Sequence, residues 1–267
     1  MWRKECVNME KKYLFEKLNV SISDTRAEMG VVGAQKVAEL MSRVLEHKDE
    51  INMIFASAPS QMDVLNEMLK RDDIPWEKIN AFHMDEYIGL PGDAPQSFGN
   101  YLRVRLFQKA PFKSVHYLDG NAADIQGECR RYTALLRQYP VDICIMGIGA
   151  NGHLAFNDPG IADFCDPLDV KVNEHLDETC IWQQVHDGWF ATYEDVPKSA
   201  LTVTMPALVR APYVVAVVPD ISKSEIIGRF FDEPISTELP GSIIRQHRNA
   251  WLYLDADSAS KIASGRL

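Results

Sequence analysis

Four short segments of the 267-residue sequence carry side chains able to move protons or hold an anion. In HMDEY (83–87) an apolar run delivers Asp85 and Glu86 to its carboxyl end, where a carboxylate can exchange a proton with a bound ligand. GIGANGHLAFNDPG (147–160) brings together His153, Asn151 before it and Asp158 after it. A carboxylate sets the tautomer of an imidazole, and histidine, with a pKa near neutrality, can give a proton and take it back. SAPSQ (57–61) offers small residues, Ser57, Ala58 and Ser60, followed by Gln61, so that backbone N–H groups can approach an anion at a helix N-terminus. In SKSE (222–225), a capping-box pattern, Lys223 falls in a first helical turn, where the helix dipole disfavours a cation and an anionic ligand would favour one.

Two nucleotide readings fail on the same residues. Gly147, Gly149 and Gly152 satisfy GxGxxG, but Pro159 and Gly160 interrupt the crossover helix whose N-terminus a dinucleotide pyrophosphate would need. SAPSQ lacks the GxxxxGK[ST] pattern, so nothing supports ATP; Ser60 and Asp63 also have the spacing of an N-cap and its N3 partner.

The elements that must position these residues follow from periodicity. Val37, Leu40, Met41, Val44 and Leu45 form the apolar stripe of a helix within 25–47. Strands are predicted at 51–56, 79–84, 114–118, 141–148, 201–204, 213–218 and 250–254. Helices are predicted around Phe98 to Leu106, from Ile125 to Leu136, at Pro206 and from Lys223 to Phe231. The almost unbroken apolar run 141–148 reads as a central parallel strand covered on both faces. Alternating strands and helices predict an α/β fold, a doubly wound, mostly parallel sheet with helices on both faces. Residues 1–267 read as one domain, with a loop or lid excursion at 158–197 of little regular structure.

With 46% hydrophobic and 25% charged residues, the chain excludes disorder, collagen and a disulfide scaffold. The net charge of -10 offers no footprint for nucleic acid, though a local basic pocket can hold one phosphate. Cys6, Cys129, Cys144, Cys165 and Cys180 show no CxxC or paired Cys/His spacing, which suggests neither disulfides nor a zinc site. The N-terminal residues lack a signal-peptide apolar core, and no run approaches the roughly 20 residues of a membrane span. A cytoplasmic protein without a membrane partner is expected.

Taken together, the segments resemble the glucosamine-6-phosphate deaminase/isomerase family, whose fold 6-phosphogluconolactonases share. HMDEYIGLP (83–91) with Ser97 resembles its aspartate motif and GIGANGHLAFNDPG its histidine motif; VPKSALTV (196–203), VVAVVPDISKSE (214–225) and WLYLDADSA (251–259) follow in order. The resemblance implies a small-molecule sugar phosphate as partner, no metal or organic cofactor, and an assembly that is often a homo-oligomer. It implies Asp85 as the base at C2 of an amino-hexose 6-phosphate and His153 with Asp158 in ring opening. Lys223, the 57–61 loop, Glu86 and Gly149 would hold the substrate. The chain departs from the family in having Asn151 where an acidic residue is usual before Gly-His, Asp158 for glutamate, and SAPSQ for a glycine- and threonine-rich loop. It also has no Lys or Arg between Lys171 and Lys198, where the family tends to supply an arginine. The alternatives are a sugar-phosphate lactonase and a non-catalytic sugar-phosphate sensor.

Overall fold

The computed structural model describes residues 10–267; Cys6 and the start of the N-terminal segment lie outside the described residues. The chain opens with a hairpin, β1 (Glu10–Phe15) and β2 (Leu18–Ser23), then runs through α1 (Arg26–Leu45), β3 (Ile51–Phe55), α2 (Met62–Leu69) and β4 (Ile79–His83). Next come the short strand β5 (Asp85–Tyr87), α3 (Phe98–Leu102), β6 (Ser114–His116), α4 (Ile125–Gln138) and β7 (Ile143–Met146). The last part holds β8 (Val170–Asn173), α5 (Glu178–His186), β9 (Ala200–Val203), α6 (Met205–Val209), β10 (Tyr213–Val217), α7 (Ser224–Asp232) and β11 (Ala250–Asp255).

Eight strands form the main sheet in the order β1-β2-β11-β10-β7-β3-β4-β6, parallel except for the β1 edge. The predicted doubly wound fold is what the chain adopts. β3, β4 and β7 are buried along their whole length, and separate apolar clusters cover the two faces of the sheet. The hairpin β1–β2 was not anticipated, because Glu10, Lys11 and Lys12 stand in β1 and hide its pattern.

The excursion 158–197, expected to hold little regular structure, contains β8 and α5, and β8 and β9 join β5 in a separate three-stranded antiparallel sheet. Its side chains, Ile181, Phe190 and Val196, pack with Tyr87 and Phe156 in a third apolar cluster, which explains how so proline- and aspartate-rich a stretch stays ordered. The caps at 60 and 222 also differ. α2 follows a tight turn at Pro59–Gln61 and has no side-chain cap, because Asp63 turns to pair with Arg26. The reciprocal box of Ser222 and Glu225 does not form; Asp220 accepts the Ser222 N–H, and Lys223 itself occupies the N-cap position of α7.

The end of β4 stays paired with β3 through Phe55↔His83, but on its β6 side it is tied down by side chains. Pairing with β6 runs from Asn80↔Ser114 to Phe82↔His116 and stops there. The N–H of His83 therefore donates to the hydroxyl of Tyr132, which donates to the His83 carbonyl 2.8 Å away. The His83 ring is threaded between the Asp85 carbonyl and the Leu118 N–H, and burial holds its pKa down at about 4, so it stays neutral. Tyr132→Phe strands a buried N–H at the root of β5, and we expect a loss of about 1–3 kcal/mol in urea unfolding, with little change in the slope.

Candidate active site

Parallel strands present reactive groups at their carboxyl ends, most of all where the chain order reverses. Here the chain passes from β3 outward to β4 and β6, then returns to β7 on the other side of β3. An open cavity of about 930 Å³ lies at this reversal. Its wall takes Ser57, Ala58 and Ser60 from the loop after β3, Asp85 after β4, Gly149 and His153 after β7, and Lys223 after β10. The structure thus brings together seven of the eleven residues singled out from sequence.

The other four are placed differently. Glu86 follows Asp85 on a strand, so its side chain points to the opposite face. There its carboxylate accepts the N–H groups of Tyr87, Phe98 and Gly99 and the hydroxyl of Ser97, and so fastens the N-terminus of α3. It does not line the cavity, and its carboxylate is taken up by this anchoring. Gln61 is also taken up internally, donating to the Val217 carbonyl and to Ser60. Asn151 and Asp158 stand behind His153 rather than on the cavity wall.

Asp85 and Glu86 show how environment separates two adjacent carboxyls. Glu86 is raised by burial, against which its four donors pull it down. The Asp85 carboxyl accepts no hydrogen bond from a side chain or backbone group among the described residues, and burial, with repulsion from Glu86, pushes its pKa up to about 8. A carboxyl near neutrality that faces a cavity is suited to taking and returning a proton.

The imidazole of His153 rests directly across Gly149, where an added Cβ would come within 2.0 Å of the ring. Its Nδ1 lies 2.7 Å from Asn151 Oδ1, which, as an acceptor, fixes the ring proton on Nδ1 and leaves the Nε2 lone pair free. Asn151 brings no charge of its own. Its Nδ2 instead donates to Asp158 at 3.1 Å and to Asp177 at 3.0 Å, and Asp158 Oδ1 stands 3.4 Å from His153 Nδ1. Burial lowers the pKa of His153, and the nearby Lys223 lowers it further, while Asp158 and Asp177 oppose that shift.

Sequence reasoning missed Cys180 and Arg26. Cys180 sits on α5, capped by Asp177, inside the stretch read as irregular, so no sequence signal pointed to it. Its thiol lies 2.9 Å from His153 Nδ1 and donates to Asp158 Oδ1 at 2.8 Å. Arg26 opens α1 and lines the cavity near the 57–60 loop, donating to the Pro59 carbonyl. The argument applied to Lys223, a cation in a first helical turn, would have found it. Lys223 makes no ion pair among the described residues; burial lowers its pKa, and its ammonium is free for a ligand anion. Cys129, Cys144, Cys165 and Cys180 are unpaired thiols, and no helix among the described residues is long and apolar enough to cross a membrane.

A profile of the family described as glucosamine-6-phosphate isomerases/6-phosphogluconolactonase matches residues 24–165. A glucosamine-6-phosphate deaminase of Lactobacillus delbrueckii subsp. bulgaricus is 31% identical over 86% of this chain and 94% of its own. Another, from Exiguobacterium sp., is 31% identical over 92% of each chain. The solved structure of a monomeric glucosamine-6-phosphate deaminase superposes with a TM-score of 0.82 at 26% identity, covering 91% of this chain and 99% of that one. A 6-phosphogluconolactonase from Trypanosoma brucei shares the fold, with a TM-score of 0.74 at 18% identity over 93% of this chain and all of that one.

Two outcomes test the electrostatics of the site. Asp85 holds a proton in the folded state up to about pH 8, whereas an unfolded aspartate releases it near pH 3.9, so Asp85 costs stability as pH rises through that window. Asp85→Asn should match the wild-type melting temperature near pH 4 and exceed it above pH 8. Glu86→Ala leaves three N–H groups and a hydroxyl without their acceptor and should cost about 3 kcal/mol by chemical denaturation.

Proposed function

The chain belongs to the family of glucosamine-6-phosphate isomerases and 6-phosphogluconolactonases, and on that premise we propose that it converts an amino-hexose 6-phosphate to a ketose phosphate with loss of ammonia. The observation that carries this reading is the cavity-facing Asp85 carboxyl, free of protein donors and poised near neutrality, in one cavity with His153 and an unpaired Lys223. Glucosamine- and galactosamine-6-phosphate are the two candidate substrates.

Lys223, the Ser57 and Ser60 hydroxyls and the backbone of the 57–60 loop bind the phosphate, with Arg26 beside them. His153 accepts the anomeric hydroxyl proton at Nε2 and returns a proton to the ring oxygen, which opens the sugar. Asp158 and Asp177 stabilise the transient imidazolium, Asp158 directly and Asp177 through Asn151. Asp85 takes the C2 proton and delivers it to C1, leaving a C2 imine. Water adds to that imine and ammonia departs, giving the 2-ketose phosphate. We place the reaction in the cytoplasm, in keeping with a phosphorylated metabolite and unpaired thiols.

Proton NMR in D₂O with each aminosugar phosphate reads the chemistry directly. Exchange at C2 with ketose formation is expected for one or both sugars, and Asp85→Asn should lower kcat by about 10²- to 10⁴-fold with a smaller change in KM. Lys223→Ala should raise KM by roughly tenfold to a hundredfold, because charge-assisted contacts to the phosphate are lost. In the wild type, kcat/KM should climb up to about pH 8 as Asp85 ionises. No exchange with either sugar, together with opening of a sugar-phosphate lactone above its spontaneous rate, would transfer the protein to the lactonase branch. Binding seen by calorimetry without turnover would make it a sensor.

A further inference from the structure

Cys180 has no part in the reaction just described, yet its sulfur occupies the centre of the proton network. Sγ lies 2.9 Å from His153 Nδ1 and 2.8 Å from Asp158 Oδ1, and those two atoms are 3.4 Å apart. Three donor atoms, nitrogen, sulfur and oxygen, thus converge beside the cavity, and no other trio of His, Cys, Asp or Glu among the described residues does so. We propose that His153, Asp158 and Cys180 form a zinc-binding site at the rear of the imidazole, and that zinc there reversibly blocks the enzyme.

The donor set and its spacing fit. Zinc takes imidazole, thiolate and carboxylate together, and three protein ligands with one open position is its usual arrangement in a cleft. With bonds of about 2.0–2.3 Å, a tetrahedral site has edges of roughly 3.3–3.6 Å. The His153–Asp158 separation already matches at 3.4 Å, so only the sulfur must draw back by a fraction of an ångström. The carboxylate is already oriented by outer partners: Asn151 donates to Asp158 Oδ1, while Asn173 and the Asp177 N–H reach Oδ2 at 3.4 Å. His153 and Cys180 both line the cavity, which gives the ion an entry path.

Sequence spacing concealed this site, because Cys180 follows His153 by 27 residues across β8 and the start of α5. Binding has a definite proton balance. The thiol proton leaves to solvent, and the ring proton of His153 moves from Nδ1 to Nε2 as Nδ1 takes the metal. One proton is released per zinc. The Nε2 lone pair that faces substrate is then lost, so a zinc-loaded histidine can no longer accept the anomeric proton. The blocking step rests on the reaction proposed above; binding itself does not.

Chelator-stripped full-length protein, without substrate, tests the site. Titration with cobalt(II) should give a thiolate-to-cobalt charge-transfer band in the near ultraviolet, saturating at one metal per chain. Zinc calorimetry in two buffers of different ionisation enthalpy should report release of one proton. Cys180→Ser should abolish the band and weaken zinc by about a hundredfold, more than loss of an outer partner commonly does, while Cys165→Ser, at an exposed thiol, should keep both. Absence of the band in the wild type, or unchanged zinc affinity in Cys180→Ser, overturns the site. Zinc bound with that band but without inhibition of C2 exchange overturns the blocking role alone. Absence of any turnover counts against the proposed reaction and leaves the spectroscopic result standing.

Discussion

The reversal of chain order at β3 is the constraint from which the rest of this structure follows. A parallel strand buried on both faces has no exposed side at which to do chemistry, and only its carboxyl end and the following loop reach solvent. Because β4 and β7 flank β3, the loops after them are forced to diverge, and the space they leave becomes the cavity. Each polar group comes from a different loop: Ser57 and Ser60 from that after β3, Lys223 from that after β10, the His153 imidazole from that after β7, and the Asp85 carboxyl from β5 after β4. None of the four segments is near another in sequence, yet all four meet in the cavity.

Much of this was legible. The strands are short apolar runs, and α1 shows its stripe because one side of it packs on the sheet and the other is wet. The residues lining the cavity stood out because polar groups at the ends of apolar strands have few structural uses. What was not legible depends on contacts distant in sequence. Whether Asp85 or Glu86 faces the cavity is set by the antiparallel pairing of β5 with β9, more than a hundred residues away. Once that register holds, the strand's alternation turns Asp85 to the cavity and Glu86 to the anchoring of α3. The excursion hid its helix for the same reason: Ile181 and Phe190 are buried only because Tyr87 and Phe156 are there to receive them.

The two carboxyls also show why position outranks residue type. Glu86 is held in the interior by four donors, which makes it structural. Asp85 has no donor, so its burial is a standing cost, and that cost is what keeps its proton exchangeable near neutrality. Strain of this kind is sustained because β4 is held independently: Tyr132 and the neutral His83 ring fix the backbone just before Asp85 without touching its carboxyl. The stability is supplied by one set of bonds and the reactivity by their absence one residue further on.

Asn151 fits the same logic. An asparagine beside the His153 imidazole removes a charge that an acidic residue would bring, and taken alone it would weaken any imidazolium. The excursion compensates, because β8 and α5 carry Asn173, Asp177 and Cys180 to the rear of the histidine, where Asp177 and Asp158 both accept from Asn151. The asparagine amide therefore acts as a bridge: its oxygen meets the ring, and its nitrogen gathers two carboxylates behind it. Charge is moved from the residue next to the histidine to a pair one layer back, where it steadies the protonated ring at longer range. The thiol of Cys180 sits against both imidazole and carboxylate. A departure that looks like loss when read as a single letter is, in the folded chain, half of an exchange whose other half lies in the segment that the sequence showed least clearly.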